Sequence, residues 1–212
     1  MNDVKRPYDA ANRRDKARQR RRSVVEAAHE LFTTDGFRRT TIAAVAQRAG
    51  VSPESIYKGF GAKADLAKAV FDFVLAGDDE PIPIAQRPEA DSIRAEPDVR
   101  RKIAMYVHSV VRRAEGSAKV QILIRDGRHV DDALNAVWLQ IQHEGLAGMT
   151  LFGRHLLGTG QLRPGIEIDE VRDILWNYLA VDHYERLVLD RGWPLERFEA
   201  WLAKAMISAV CD

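Results

Sequence analysis

Residues 40–60, TTIAAVAQRAGVSPESIYKGF, decide how this chain folds. Ile42, Val45, Ala46 and Ala49 recur at i, i+3, i+4 and i+7, which is one buried stripe of a helix. Gly50 follows, and glycine accepts the left-handed backbone that ends a helix. Ser52 is a good N-cap and Pro53 suits a first helical turn, so a second short helix starts there. That second helix carries Glu54, Ser55, Tyr57 and Lys58, which are polar or amphipathic. Two short helices with a tight turn and a polar second helix are the build of a helix-turn-helix, whose second helix enters a DNA major groove. An ordinary helical hairpin inside a bundle has the same periodicity and stays open as the alternative.

Outward from this stretch the pattern remains helical. Val24, Ala28, Leu31 and Phe32 give an apolar face to a first helix over Ser23 to Thr33. Asp35-Gly36 ends it, Phe37 folds back into a small core, and Thr40 caps the next helix. Residues 61–75 form a fourth helix with Leu66, Ala69, Val70 and Phe73 as its stripe. Residues 77–98 hold Pro81, Pro83, Pro88 and Pro97 and read as a long loop, because proline removes backbone donors. Beyond them come helices over 98–114, 116–128, 130–157, 169–190 and 194–210, with Gly192 as a C-cap. No strand alternation or internal repeat interrupts the series. The expected fold is therefore all-α: an N-terminal three-helix head over 20–66, preceded by a flexible basic arm over 1–19 and followed by a helical bundle over 67–212.

Composition narrows the function. The chain has 212 residues, 46% of them hydrophobic and 30% charged, which is ordinary for a water-soluble protein. It has no apolar run long enough to span a membrane. The arginine-rich start lacks the apolar core of a secretory signal. The single cysteine, Cys211, allows no internal disulfide, so the expected setting is the reducing cytoplasm. Net charge is only +1, but it is unevenly spread. Residues 1–65 carry 14 Lys and Arg against 8 Asp and Glu, and the remainder carries 18 against 23. The excess of cations thus coincides with the helix-turn-helix, and cations that displace counterions give affinity for phosphate backbones. Within it, residues 13–22, RRDKARQRRR, hold seven basic residues that extend the first helix, form a DNA-seeking arm, or merely solubilise the terminus.

No catalytic constellation is present. There is no GxSxG, no phosphate-cradling glycine loop, no CxxC and no HExxH, so the chain does not read as an enzyme and needs no cofactor. His108, His129, His143, His155 and His183 are scattered, without the spacing of a metal set.

The ordered residues Ala27-Ala28, Leu31-Phe32, Gly36-Phe37, Thr40-Thr41-Ile42, Val45-Ala46, Ala49-Gly50-Val51-Ser52, Ile56-Tyr57, Phe60, Lys63 and Leu66 resemble the TetR family of bacterial transcriptional regulators. The likeness covers roughly 20–70. Two positions depart from the family pattern: Gly59 stands where an aromatic residue or histidine is usual, and Gly61 where proline is frequent. The likeness implies a homodimer that binds a palindromic DNA operator and is released by a small-molecule effector. It implies that Tyr57 and Lys63 touch phosphates, that Thr40 and Thr41 face the DNA backbone, and that Ser52, Pro53, Glu54, Ser55 and Lys58 lie on the recognition helix. The residue chemistry divides the work the same way. Phosphate donors fix register, whereas Lys58 suits guanine and Glu54 suits cytosine N4. Glu54 equally suits the positive end of its own helix. A constitutive or non-specific DNA binder is the rival function.

The C-terminal half adds two expectations. The last two helices carry apolar residues on two faces, including Val171, Leu175 and Tyr178 on one and Trp176, Leu179 and Tyr184 on another. Burial of both faces fits a homodimer through these helices, or a central place for them in one monomer. An effector cavity needs apolar walls and a few polar groups. Its candidate lining is Met105, Tyr106, His108, Trp138, Gln142, His143, Phe152, Trp176, Asn177 and Tyr178, with Trp138 and Gln142 paired one turn apart. An aromatic or apolar organic molecule is the expected occupant.

Overall fold

The computed structural model describes the backbone of residues 5–77 and 82–211. Within it every regular element is helical. α1 spans Lys5–Arg39, α2 Ile42–Ala49, α3 Pro53–Phe60 and α4 Lys63–Ala76. α5 spans Pro88–Ala95, α6 Val99–Gly127 and α7 Asp132–Leu157. α8 spans Ile168–Tyr178, α9 Val181–Tyr184 and α10 Leu195–Val210, with a π-helical segment over Glu185–Asp190 between the last two. No helix of the described residues is long and apolar enough to cross a membrane.

The chain forms two compact units, residues 1–79 with 123–137, and residues 80–122 with 138–212. A boundary at 66/67 would therefore fall inside α4, which packs with α1 in the first unit. The sequence of 1–19, expected as a flexible arm, is helical from Lys5 onward and continuous with α1; residues 1–4 lie outside the described residues. Ala, Arg, Lys and Gln dominate this segment and are strong helix formers, and Pro7 falls in the first turn where it is tolerated.

In the first unit most of the expected stripe residues meet in one core, while Leu31, Ala49, Ala69 and Phe73 stay half-buried and Phe71 is buried on α4. Val24, Val25, Ala28 and Phe32 of α1 are buried with Ile42, Val45 and Ala46 of α2, Ile56 of α3 and Leu66 and Val70 of α4. Gly36 interrupts α1 with φ 81°, a conformation glycine adopts without strain, and Phe37 beyond it stacks on Phe32 with ring centroids 5.7 Å apart.

In the second unit three expected boundaries move. Gly116 does not break the helix, since an isolated glycine costs only about 1 kcal/mol and α6 runs through it. Pro88 starts a helix instead of extending the loop, because position N1 has no amide to lose. The expected helix over 169–190 is broken at Ala180 (φ −59°, ψ 135°). Continuing the stripe of Val171, Leu175 and Tyr178 at the helical period would next bury Asp182. The break rotates the register, so that Val181 and Tyr184 are buried and Asp182 is exposed. Around them Val99, Ile103, Val107, Val111, Leu175, Leu202 and Met206 form the core of this unit.

Candidate nucleic-acid interface

The turn between α2 and α3 is fixed by its caps. Thr41, not Thr40, is the N-cap of α2: its hydroxyl accepts from the Ala44 amide at 3.1 Å. Gly50 is left-handed (φ 67°) and closes α2, with the Val51 amide reaching the Ala46 carbonyl at 3.0 Å. Ser52 caps α3 by accepting from the Ser55 amide at 3.3 Å, and the two hydroxyls lie 3.1 Å apart.

Ile56 is the one fully buried residue of α3 and anchors it to the core. The rest of the helix is offered outward. Ser52, Glu54, Ser55, Tyr57, Lys58 and Gly59 are exposed, Tyr57 by 57%. Tyr57 thus presents a large amphipathic ring to solvent on a short, well-capped helix. Pro53 is half-buried and holds the first turn. The Glu54 carboxyl is held below its usual pKa by its own amide and then by the Ser52 hydroxyl, so the ionised group braces the helix start.

The ends of α3 are also secured. Arg21 lies with its guanidinium 4.5 Å from the Phe60 ring centre. At the start of α4, Gly61 has φ 89°, and a Cβ there would fall 2.6 Å from an Asp65 carboxylate oxygen. That carboxylate accepts from the Ala62 amide at 2.8 Å. Proline, whose φ is fixed near −65°, could not adopt this backbone, so the glycine that departs from the family's frequent proline suits this corner. The sequence reading missed Asp65, although an acid three residues after a turn is a capping signal.

Two residues expected at the DNA backbone are engaged within the head. Thr40 is 1% exposed, and its hydroxyl donates to the Leu31 and Gly36 carbonyls at 3.1 and 2.9 Å. It joins α1 to α2 and has no face for DNA. The Lys63 ammonium donates to the Phe37 carbonyl at 2.8 Å and the Thr40 carbonyl at 3.0 Å, and lies 4.2 Å from the Phe37 ring centre. Two of its three N–H groups are therefore spent inside the head. Burial lowers its pKa, and the Asp131 carboxylate opposes that shift. Lys63 and Asp131 share the wall of an open cleft of about 840 Å³ within the first unit.

The expected effector-lining residues divide. His108 is exposed and bonded through Nδ1 to Glu199 at 3.1 Å, His143 is exposed, and Trp176 is 43% exposed. These three side chains face solvent in the second unit. Met105, Trp138, Gln142 and Tyr178 are half-buried. Tyr178 belongs to an aromatic cluster with His183 (6.2 Å) and Trp201 (6.5 Å).

Residues 24–70 match the family model described as bacterial regulatory proteins, tetR family. This segment of the chain is similar to the DNA-binding segment of the TetR family. Over 59 residues it is 39% identical to the HTH-type transcriptional regulator TtgR of Pseudomonas putida, and equally to the probable regulator ArpR of the same species. That match spans 28% of this chain and 28% of each relative. Solved structures extend the likeness of fold to nearly the whole chain. A protein from Rhodococcus sp. assigned to the TetR family superposes with a TM-score of 0.72 at 14% identity, covering 90% of this chain and 98% of that one. The Bacillus subtilis regulator FadR in complex with stearoyl-CoA superposes with a TM-score of 0.70 at 16% identity, covering 88% and 97%.

Proposed function

We propose that this protein is a DNA-binding transcriptional regulator of the TetR family. It binds a palindromic operator as a homodimer and acts as a repressor released by a small organic effector. The observation that carries this reading is α3: one buried anchor, Ile56, and an otherwise exposed polar face on the basic part of the chain. Tyr57 and Thr41 take phosphates, while Ser52, Pro53, Glu54, Ser55 and Lys58 meet base edges or line the groove. Thr40 and Lys63 act behind them as positioning residues. A two-fold dimer sets two α3 helices about 34–36 Å apart, or a multiple of it, facing one side of the duplex. The exposed Trp176 and Leu189 near the end of the second unit support a partner surface on its last helices. The stearoyl-CoA held by Bacillus subtilis FadR supports a small-molecule site in the helical second unit.

The test is the ratio of affinity for a selected palindrome to that for bulk DNA at one salt concentration. A ratio of at least about 10³ is expected, and a ratio near one rejects the reading in favour of a non-specific binder. Lys58→Ala should change base preference at one operator position by about 1–3 kcal/mol, whereas a uniform loss across operator variants contradicts a reading role.

A further inference from the structure

Lys102 is the one charged side chain buried among the described residues, with 2% of its surface exposed. It stands on α6 in line with Val99, Ile103 and Tyr106, so the apolar stripe itself carries it inward. Its ammonium donates to the Arg94 carbonyl at 2.9 Å and lies 2.7 Å from Nε2 of His155. Burial pushes the His155 pKa down, and the Lys102 charge pushes it the same way. The imidazole is therefore neutral, and Nε2 accepts from the ammonium. Both partners of this buried cation are uncharged. Among the described residues no carboxylate forms an ion pair with it: Asp91 is taken by Arg94 and Glu96 by Arg101. A buried cation without a counter-charge is costly, and buried lysines are nearly always paired.

A second observation lies one turn away. Tyr106 stacks on Phe152 with ring centroids 4.0 Å apart, and its hydroxyl points to the Met149 sulfur at 3.6 Å. That hydroxyl is buried and its pKa is pushed well up. Tyr106, Phe152 and Met149 nevertheless keep accessible surface, while Val107 and Leu156 beside them keep none. The result is a partly open aromatic and thioether wall one helical turn along α6 from a buried lysine that lacks an anion.

We propose that the second unit binds a small organic acid, whose carboxylate takes the Lys102 ammonium in place of the His155 imidazole and whose apolar body lies on Tyr106, Phe152 and Met149. The imidazole is a neutral placeholder for the anion. A monoanion fits better than a phosphate dianion, because one ammonium is on offer and the nearby Arg94 guanidinium is already engaged with Asp91 and the Ala85 carbonyl. This deepens the effector-sensing reading above by giving the effector's chemical class.

The test is calorimetric titration of the full chain, without DNA, using octanoate and 4-phenylbutyrate, each against its neutral amide. At least one acid is expected to bind at least about tenfold more tightly than its amide, the worth of a hydrogen bond to a charged group. Lys102→Met should bring that ratio near one. The His155 imidazole resonances of the unaltered protein should shift with the acid and not with the amide, a readout that stands even where the variant folds poorly. Equal binding of acid and amide, no binding of either acid, or an acid preference retained by Lys102→Met overturns the proposal. Acid binding that leaves operator affinity unchanged keeps the site and removes its effector role. An operator-specific protein indifferent to acid and amide alike removes the site and keeps the regulator.

Discussion

Each compact unit holds a lysine against the carbonyl end of a helix, and the two settings differ in what remains. In the first unit Lys63 takes the Phe37 and Thr40 carbonyls, rests on an aromatic face, stays half-buried, and has the Asp131 carboxylate to offset its charge. In the second unit Lys102 takes the Arg94 carbonyl, is almost wholly buried, and meets only a neutral imidazole. Lys63 is thereby complete as a clamp that fixes the corner between α1 and α2. Lys102 makes similar bonds and keeps an uncompensated charge. Hydrogen bonds satisfy donors in both places, but only a counter-charge or water satisfies the field of the ion.

The largest expected effect comes from removing the floor under the first lysine. Phe32 is 1% exposed and supports Phe37, over which Lys63 lies. Phe32→Ala should cost about 3–5 kcal/mol by lost burial and the cavity left behind. Hydrogen exchange should show the loss in amides of α1, α2 and α4, with those of α8 and α10 protected as before. Equal loss in both sets would mean that the two units unfold as one and that the contrast between their lysines is not local.

Next in size is Lys63→Met, which strands two carbonyls and should destabilise the first unit by about 1–3 kcal/mol in chemical denaturation. The salt dependence of DNA binding should stay unchanged. Were Lys63 a phosphate ligand, its removal would instead flatten the salt slope by about one unit. A flattened slope with unaltered stability would return Lys63 to the DNA-facing role that family likeness implies.

A smaller gain is expected at Gly59 on α3. It has helical backbone and open space around its missing Cβ. Gly59→Ala should stabilise the first unit by about 0.5–1 kcal/mol. A loss there would show that the end of α3 needs glycine for a reason outside the helix.

The same two lysines mark how far the sequence is legible. In the first unit the stripes of α1, α2 and α4 predict the central core residues, such as Val24, Ala28, Phe32, Val45, Leu66 and Val70, but α4 buries Ala67 and Phe71 where the period names Ala69 and Phe73. The turn is clear, since Gly50, Ser52 and Pro53 each act within a few residues. Lys63 reads as a DNA contact in sequence because its acceptors, 23 and 26 residues away, become neighbours only in the folded corner. Lys102 does leave a local trace: it interrupts Val99, Ile103, Tyr106 and Val107 at a position the helical period buries. The break at Ala180 leaves none, because two apolar stripes on 169–190 also fit one straight helix, and only packing selects the rotation that exposes Asp182. Exposure of His108, His143 and Trp176 likewise depends on which helices pack together.

The finest probe of the contrast is pH. Unfolded, His155 titrates near its ordinary 6.5; folded, burial and then Lys102 hold its pKa lower. Between these values the unfolded chain binds a proton that the folded chain refuses, so stability rises with pH across that window. The contribution is fully present above the unfolded value and is lost as pH falls through the folded one. Denaturant midpoints of the second unit should therefore fall on acidification below about 6.5, the ordinary histidine pKa, and His155→Gln should flatten that part of the profile. Bound carboxylate acts on the same balance with the opposite sign: an anion beside Lys102 removes the charge that opposes protonation, so with octanoate the loss should be shallower. A profile identical in His155→Gln and the unaltered protein would mean that the imidazole is no partner of Lys102 in solution, and the second lysine would then differ from the first only in depth.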